Sequence, residues 1–513
     1  MTRRRDFLAG AASVLGTAAL PRVAAAVAPD ADAAARAALD GVAALATPAA
    51  KLAKLRDVRE HGLSPRTKLD LETAREGLAI DARIAEIMPY GRLGRSPYSV
   101  TPTSGAWRDL DVSDAVDRIA ADTAAVKREA AAGIVLPPDP LDRTVGAILG
   151  AAGRTSGPVS AALGEQARLL VSLASRADEP GMSHLPNGTA YYELMIDRQF
   201  GGRDAAAIHR RVMALATETA AEADDLLRRF GYAGRHTGER FRSAFRDPQF
   251  LYPDSDDGRD RAVADMNSWL VRTKERLPGL FGSLPPECMN VAVGRMTPVE
   301  ESAKKGGYRV LPNPNGTPGR YFVDLSDIRR RPNWSLPSVV HHELLPGHMV
   351  QMPIDARAAP HALRVEYTAG FQEGWAIYAE QLMAPLGTFE ADDRARLGFL
   401  HWMLFRLCRS LIDTGVHSAR WSLQEARETL ERMQGEPAFF ATFDQDIQRV
   451  CLEPGARVGE ALAWLALADR CGPVGAADLS ARHRAAIGDG RIRLSALQRR
   501  LGPARPWNSI DRQ

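Results

Sequence analysis

Apolar residues recur every three to four positions through much of the first half of the chain, as in Ala31–Leu45 and Asp204–Phe230, with charged residues between them. A period near 3.6 puts the apolar positions on one face, so both stretches are predicted helices. Pro137-Pro138, Pro180-Gly181 and Tyr252–Gly258 break the pattern and are predicted loops. Pro253–Gly258 is faintly like a calcium loop, but Arg259 stands where that loop needs Gly and no Glu closes it, so it is an ordinary turn. Near Pro285-Pro286 the character changes. Met289–Met296 and Tyr321–Leu325 are predicted short strands, separated by a Gly/Pro/Asn-rich loop from Gly306 to Gly319. Helical patterning resumes from Ser338 to the C-terminus. The pattern predicts a mainly α protein with a large helical N-terminal region (29–285). A second region (286–513) carries the small β-sheet, and the substrate cleft lies between the two.

Composition adds little to this picture, but charge and leader change it. The 513 residues are 45% hydrophobic, enough for a large core, and the low aromatic content of 6% favours helix over sheet. The formal charge of +3 resides in residues 1–28, where Arg3, Arg4, Arg5 and Arg22 stand against Asp6. The remainder balances, which gives no electrostatic case for a nucleic-acid partner. Arg4-Arg5-Asp6-Phe7-Leu8 fits the export pattern R-R-x-F-L, an apolar stretch follows to Leu20, and small residues offer cleavage near Ala26 or Ala28. The expectations are a twin-arginine signal peptide over 1–28, the twin-arginine translocase as a partner, and a periplasmic or secreted mature form without a membrane span. Cys288, Cys408, Cys451 and Cys471 include no CxxC pair, which argues against a thiolate metal site and leaves disulfides or buried thiols open.

The most informative segment is Val339–Gln351, which contains His341-His342-Glu343-Leu344-Leu345-Pro346-Gly347-His348. Zincins use H-E-x-x-H because residues four apart share a helix face, so two imidazoles reach one ion and the adjacent Glu reaches its water. Here the spacing is two residues longer, and a regular helix would turn the histidines apart by about 240°. Pro346 cannot donate the helical hydrogen bond and Gly347 tolerates unusual backbone angles. A bulge or unwound turn there would return His348 to the side of His342. His341 shares a face with His348 but lies two turns away, which suits a supporting or packing role.

Two further segments supply what such a site lacks. Glu373, in Phe371–Glu380, falls at the distance past His348 expected of a carboxylate third ligand. Glu380 shares its face, so either could be the ligand while the other holds a ligand histidine. In Phe405–Trp421, Arg406, Arg409, Asp413 and His417 recur at helical spacing, with Leu404, Leu407 and Leu411 opposite. Such a stripe can bind a carboxylate or stabilise an oxyanion.

At these three segments the chain resembles a large bacterial family known only as domain of unknown function 885. Its marks are an H-E-x-x-P-G-H helix, an E-G-W-A-x-Y-A-E helix and an R-x-x-R-x-x-x-D-x-G-x-H helix, standing here at His342–His348, Glu373–Glu380 and Arg406–His417. The E-G-W-A-x-Y run is also similar to the N-E-G-F-A-x-Y helix of zinc aminopeptidases, whose Glu is the third ligand. That resemblance favours Glu373 over Glu380 and implies a gluzincin-like metallohydrolase with zincin-like architecture. The chain departs from the family at Met349, at Arg449-Val450, and over Pro454–Glu460, where the pattern P-G-Q-A-x-x-Y loses its Gln and Tyr.

Together these features predict one zinc ion on His342, His348 and Glu373, with Glu343 as general base for hydrolysis of an amide bond, in a peptide or small amide substrate. His417, Tyr378 or Arg409 would stabilise the oxyanion, with Glu380, Asp413 and His341 supporting. The Tyr321–Leu325 strand, through Tyr321 and Val323, would pair with an extended substrate that Arg406 also contacts. The alternatives are a metal-dependent hydrolase or lyase of a non-peptide small molecule, and a binding protein that has lost catalysis.

Overall fold

Helices begin where short polar side chains can satisfy their first N–H groups. Asp204 accepts from the Ala207 N–H at 2.7 Å and opens the helix Ala205–Arg229, as the periodicity predicts. Ser255 accepts from the Gly258 N–H at 3.2 Å and opens Asp256–Phe281, so the calcium-like segment is a helix cap. The computed structural model describes residues 30–177, 180–303, 306–384, 392–472 and 476–505. The expected leader, 1–28, lies outside these. The described residues are mainly helical, with one three-stranded sheet.

The sheet holds β1 (Val291–Arg295), β2 (Tyr308–Val310) and β3 (Gly319–Val323) in the order β1-β3-β2. β3 runs parallel to β1, pairing Val293 with Tyr321, and antiparallel to β2, pairing Arg309 with Tyr321. The predicted strand at Tyr321–Leu325 is therefore the central one, and it offers no edge to a substrate. Val323 is fully buried in the sheet and is not a substrate contact. The outer edge of β1 is covered as well. The Asn267 side chain donates to the Val293 carbonyl and accepts from the Val293 N–H, at 3.2 and 3.0 Å. Among the described residues the open edge belongs to β2, which lies inside the expected loop.

The largest apolar cluster draws Leu69, Phe200, Val212 and Leu226 from the first half of the chain and Val323, Trp375, Leu404 and Trp464 from the second. Arg493 crosses the same divide, donating to the carbonyls of Asp197 and Tyr367 at 2.8 Å each. The helix Ala369–Met383 lies backbone to backbone on Ala456–Cys471. A Cβ on Gly370 would meet the Gly459 carbonyl oxygen at 2.5 Å, and one on Gly374 would meet the Ala463 Cβ at 2.4 Å. Such contact fixes the helix in rotation as well as position. The helix Asp393–His417 is buried on all sides from Leu397 to His417 apart from Arg406, so the expected split into a polar and an apolar face is absent.

All four cysteines are free and buried, and burial pushes each thiol up to about 12. No described helix is long and apolar enough to cross a membrane.

Candidate metal centre

The helix Leu336–Glu343 stops at Glu343, and a second, His348–Ala358, starts after a four-residue turn. The N–H groups of Leu344 and Leu345 both donate to the Val340 carbonyl, and that of Gly347 donates to the His341 carbonyl at 3.0 Å. The Leu345-Pro346 peptide is cis. Gly347 is packed against the end of the first helix, where a Cβ would lie 2.0 Å from the His342 carbonyl oxygen. Only glycine fits so close an approach. The Trp375 indole N–H, from the helix Ala369–Met383, donates to the Pro346 carbonyl at 3.0 Å and pins the turn. The unwound turn expected from Pro-Gly is thus a complete break between two helices. It brings the His342 and His348 rings to 4.8 Å between centroids, with planes at 88°.

Glu373 completes the group. Its Oε2 lies 3.3 Å from His342 Nε2 and its Oε1 lies 3.4 Å from His348 Nε2. One ligand atom from each residue falls within 4.8 Å of the others. Two ligands about 2.1 Å from a tetrahedral zinc stand roughly 3.4 Å apart, so these spacings fit an ion between them. His348 is fully buried, yet neither ring nitrogen has a hydrogen-bond partner among the described residues, which fits an ion ligand better than a packed histidine.

Glu380 holds the group from behind. Its Oε1 is 2.7 Å from His342 Nδ1 and its Oε2 accepts from Ser338 Oγ at 2.6 Å. This fixes the His342 proton on Nδ1 and leaves Nε2 toward Glu373. Burial pushes the Glu373 carboxyl up, but His348 and His342 outweigh it and hold it well below the ordinary carboxylate range. Burial and Arg406 press His342 down, whereas its bonds to Glu373 and Glu380 carry it up to about 9. His348 meets only one carboxylate, and burial lowers it. His341 turns away, 3.4 Å from Thr273 Oγ1 and 3.3 Å from the Leu345 carbonyl, and burial brings it down to about 4. Its role is packing.

A cleft of about 290 Å³ opens on the group and is lined by His342, Glu343, Glu373, Tyr321, Arg406 and Arg409, among others. A larger cavity of about 640 Å³, around Arg92, Arg198 and Arg491, contains none of the three ligand candidates. The chemistry therefore points to the smaller space. Glu343 stands on its wall in an ion pair with Arg309, which reaches across from β2. The sequence reading missed Arg309. Its only signal was the alternation Tyr308-Arg309-Val310 after Gly306-Gly307.

Tyr378, His417 and Asp413 also lie outside the cleft lining. The Tyr378 hydroxyl donates to His483 Nε2 at 2.7 Å in the core, so it is not an oxyanion donor. His417 accepts from the Met182 N–H at 3.2 Å and its Nε2 meets the Val450 carbonyl at 2.9 Å, which uses both ring nitrogens. Asp413 accepts from the Tyr192 hydroxyl and the Gly455 N–H, and burial pushes it up to about 7. The physical reason is length. Eight residues of helix carry His417 about 12 Å along the axis from Arg409.

Residues 111–501 match the family described as bacterial protein of unknown function (DUF885). The chain belongs to that family. No curated relative matches this DUF885 protein. It is similar in fold to two solved structures that are provisionally described as lipoproteins. One, from Colwellia psychrerythraea, is 20% identical with a TM-score of 0.68, over 92% of this chain and 95% of that one. The other, from Shewanella oneidensis and of unknown function, is 16% identical with a TM-score of 0.64, over 92% of each chain. At these identities the likeness is one of fold.

Proposed function

We propose that this DUF885 protein is a zinc-dependent, gluzincin-like hydrolase that cleaves amide bonds, chiefly in peptides, outside the cytoplasm. The observation that carries the reading is the convergence of His342, His348 and Glu373 within 4.8 Å, beside a cleft that Glu343 also lines. Two histidines and a carboxylate with an open fourth position suit zinc, which when bound polarises a carbonyl and acidifies water. Glu343 takes the proton of the attacking water and returns it to the leaving nitrogen. Arg309 holds the Glu343 carboxylate on the cleft wall. Arg409, which lines the cleft, is the remaining oxyanion donor of the expected three. The lipoprotein descriptions of the two solved relatives and the Arg4-Arg5 leader support a site of action beyond the inner membrane. A cleft near the lower end of small-ligand sizes also favours a second reading, a small non-peptide amide.

The test is metal analysis of the mature protein, with His348→Ala as control, followed by cleavage of a peptide library. One zinc per chain is expected. Glu343→Gln should keep the metal and lose about 10²- to 10⁴-fold in rate. A wild-type protein that binds no zinc, or a Glu343→Gln variant of undiminished activity, would overturn the reading.

A further inference from the structure

We propose that the cleft recognises a free carboxylate on the carbon next to the scissile nitrogen, so that the substrates are acyl-amino acids: peptides cut at their carboxyl-terminal residue, or simple N-acyl amino acids. This rests on the hydrolase reading above. Arg406 and Arg409, both on the helix Asp393–His417, line the same cleft as His342 and Glu373. Arg406 is 11% exposed and reaches Glu380 at 3.5 Å through Nη2, while its buried Nε has no hydrogen-bond partner among the described residues. Arg409 is 7% exposed and meets the Asp446 carboxylate at 3.3 Å through Nε. Its guanidinium carbon also lies 4.9 Å from the centre of the Phe405 ring, so its plane is held beside the cleft.

A guanidinium buried with unused donors is held at a cost, which an incoming carboxylate relieves by accepting two parallel hydrogen bonds. Burial, and then the neighbouring positive charge of Arg457, press Arg409 down to about 10, as expected of a cation short of countercharge. The spacing fits the proposed substrate. Arg406 Nη2 is 3.3 Å from His342 Nδ1, so the guanidinium stands one imidazole ring away from the ligand group. That is the reach of a single amino-acid residue, not of a continuing chain. Trp402, Phe439 and Phe440 supply an aromatic wall, with Phe440 46% exposed, which suits an apolar side chain on the terminal residue. In the reaction the water oxygen bonds to the acyl carbon, the C–N bond breaks, and the nitrogen leaves with the proton carried by Glu343. The products are a new carboxylate and a free amino acid.

The experiment compares N-benzoyl-glycyl-phenylalanine, its terminal carboxamide and N-benzoyl-phenylalanine on the zinc-loaded mature protein. Turnover is measured on the wild type and binding by calorimetry on Glu343→Gln. The acid should be favoured over the carboxamide by about 10- to 100-fold in kcat/KM and in Kd. Arg409→Met, combined with Glu343→Gln and read by calorimetry, should bring the acid and the carboxamide to equal Kd while leaving zinc content unchanged. Arg409→Lys, which keeps the charge and loses the fork, should retain part of the preference and serves if the Met variant does not fold. Equal binding of acid and carboxamide overturns the inference whether or not turnover occurs. Preferential binding of the acid without turnover of any probe upholds the recognition and instead defeats the hydrolase reading. Cleavage of the dipeptide alone assigns peptide termini, and cleavage of N-benzoyl-phenylalanine alone assigns N-acyl amino acids.

Discussion

The Trp375 indole donates its N–H to the carbonyl of Pro346 at 3.0 Å, joining the helix that carries Glu373 to the turn that separates His342 from His348. This hydrogen bond ties the helix of Glu373 to the turn between His342 and His348.

Trp375→Phe keeps the buried ring and removes that bond. Zinc affinity, read by competition with a chelator, should fall by about 10-fold or more, because the bond orients the ligand-bearing elements. Gly347→Ala places a methyl group 2.0 Å from the His342 carbonyl oxygen. It should lower stability by about 1–3 kcal/mol and lose the metal. Full zinc occupancy at wild-type affinity in the alanine variant would contradict this account of the turn.

Glu380 accepts from His342 and from Ser338. Glu380→Gln should weaken zinc binding by about 10- to 100-fold while leaving the ion's ligands in place. X-ray absorption at saturating zinc should then show unchanged coordination.

Arg309 meets Glu343 from β2. Arg309→Ala should lower kcat by about tenfold as the base loses its fixed position, with zinc content unchanged. Arg309→Lys should recover part of the loss. An unchanged kcat in the alanine variant would mean that the ion pair has no part in turnover.

Tyr378→Phe and His417→Gln test residues whose partners lie in the core. Each should cost about 1–3 kcal/mol in denaturant unfolding and leave kcat/KM of the folded enzyme unchanged. A loss of kcat beyond tenfold with zinc retained would return either residue to the mechanism.

His483 is buried between the Tyr378 hydroxyl and the Leu280 carbonyl, and burial pushes it down to about 4. Its folded value lies below the ordinary 6.5, so the unfolded chain binds the extra proton. The stability this ring contributes is complete above pH about 6.5 and fades as pH falls toward about 4. His483→Gln should therefore cost about 2–3 kcal/mol less at pH near 4.5 than at pH near 8. Melting curves of both proteins at the two pH values read the difference, and a cost independent of pH would refute the assignment.

The ligand group was legible because its physics is local. Two histidines six positions apart cannot share a face of a straight helix, and Pro346 and Gly347 are the residues that permit a break. Spacing alone left Glu373 and Glu380 equivalent, since both lie on one helix face; the resemblance favoured Glu373, and the fold shows that it meets His342 Nε2 while Glu380 meets Nδ1. The stripe from Arg406 to His417 misled for a related reason. Periodicity tells which positions share a direction, but a helix enclosed along its length meets different partners at each end. Arg409 faces the cleft lining, whereas Asp413 and His417 meet Tyr192 and Met182. Strand order was likewise hidden. Tyr321 and Val323 read correctly as strand residues, but whether a strand is central or at an edge depends on a partner as short as Tyr308–Val310.

The four sealed thiols have a consequence for where the chain can mature. Their sulfurs are unpaired, and thiols lifted so far from neutrality offer almost no thiolate for exchange. Assembly of the described architecture therefore asks for no oxidising compartment and no disulfide isomerase. It can be completed in reducing surroundings, ahead of any passage across a bilayer.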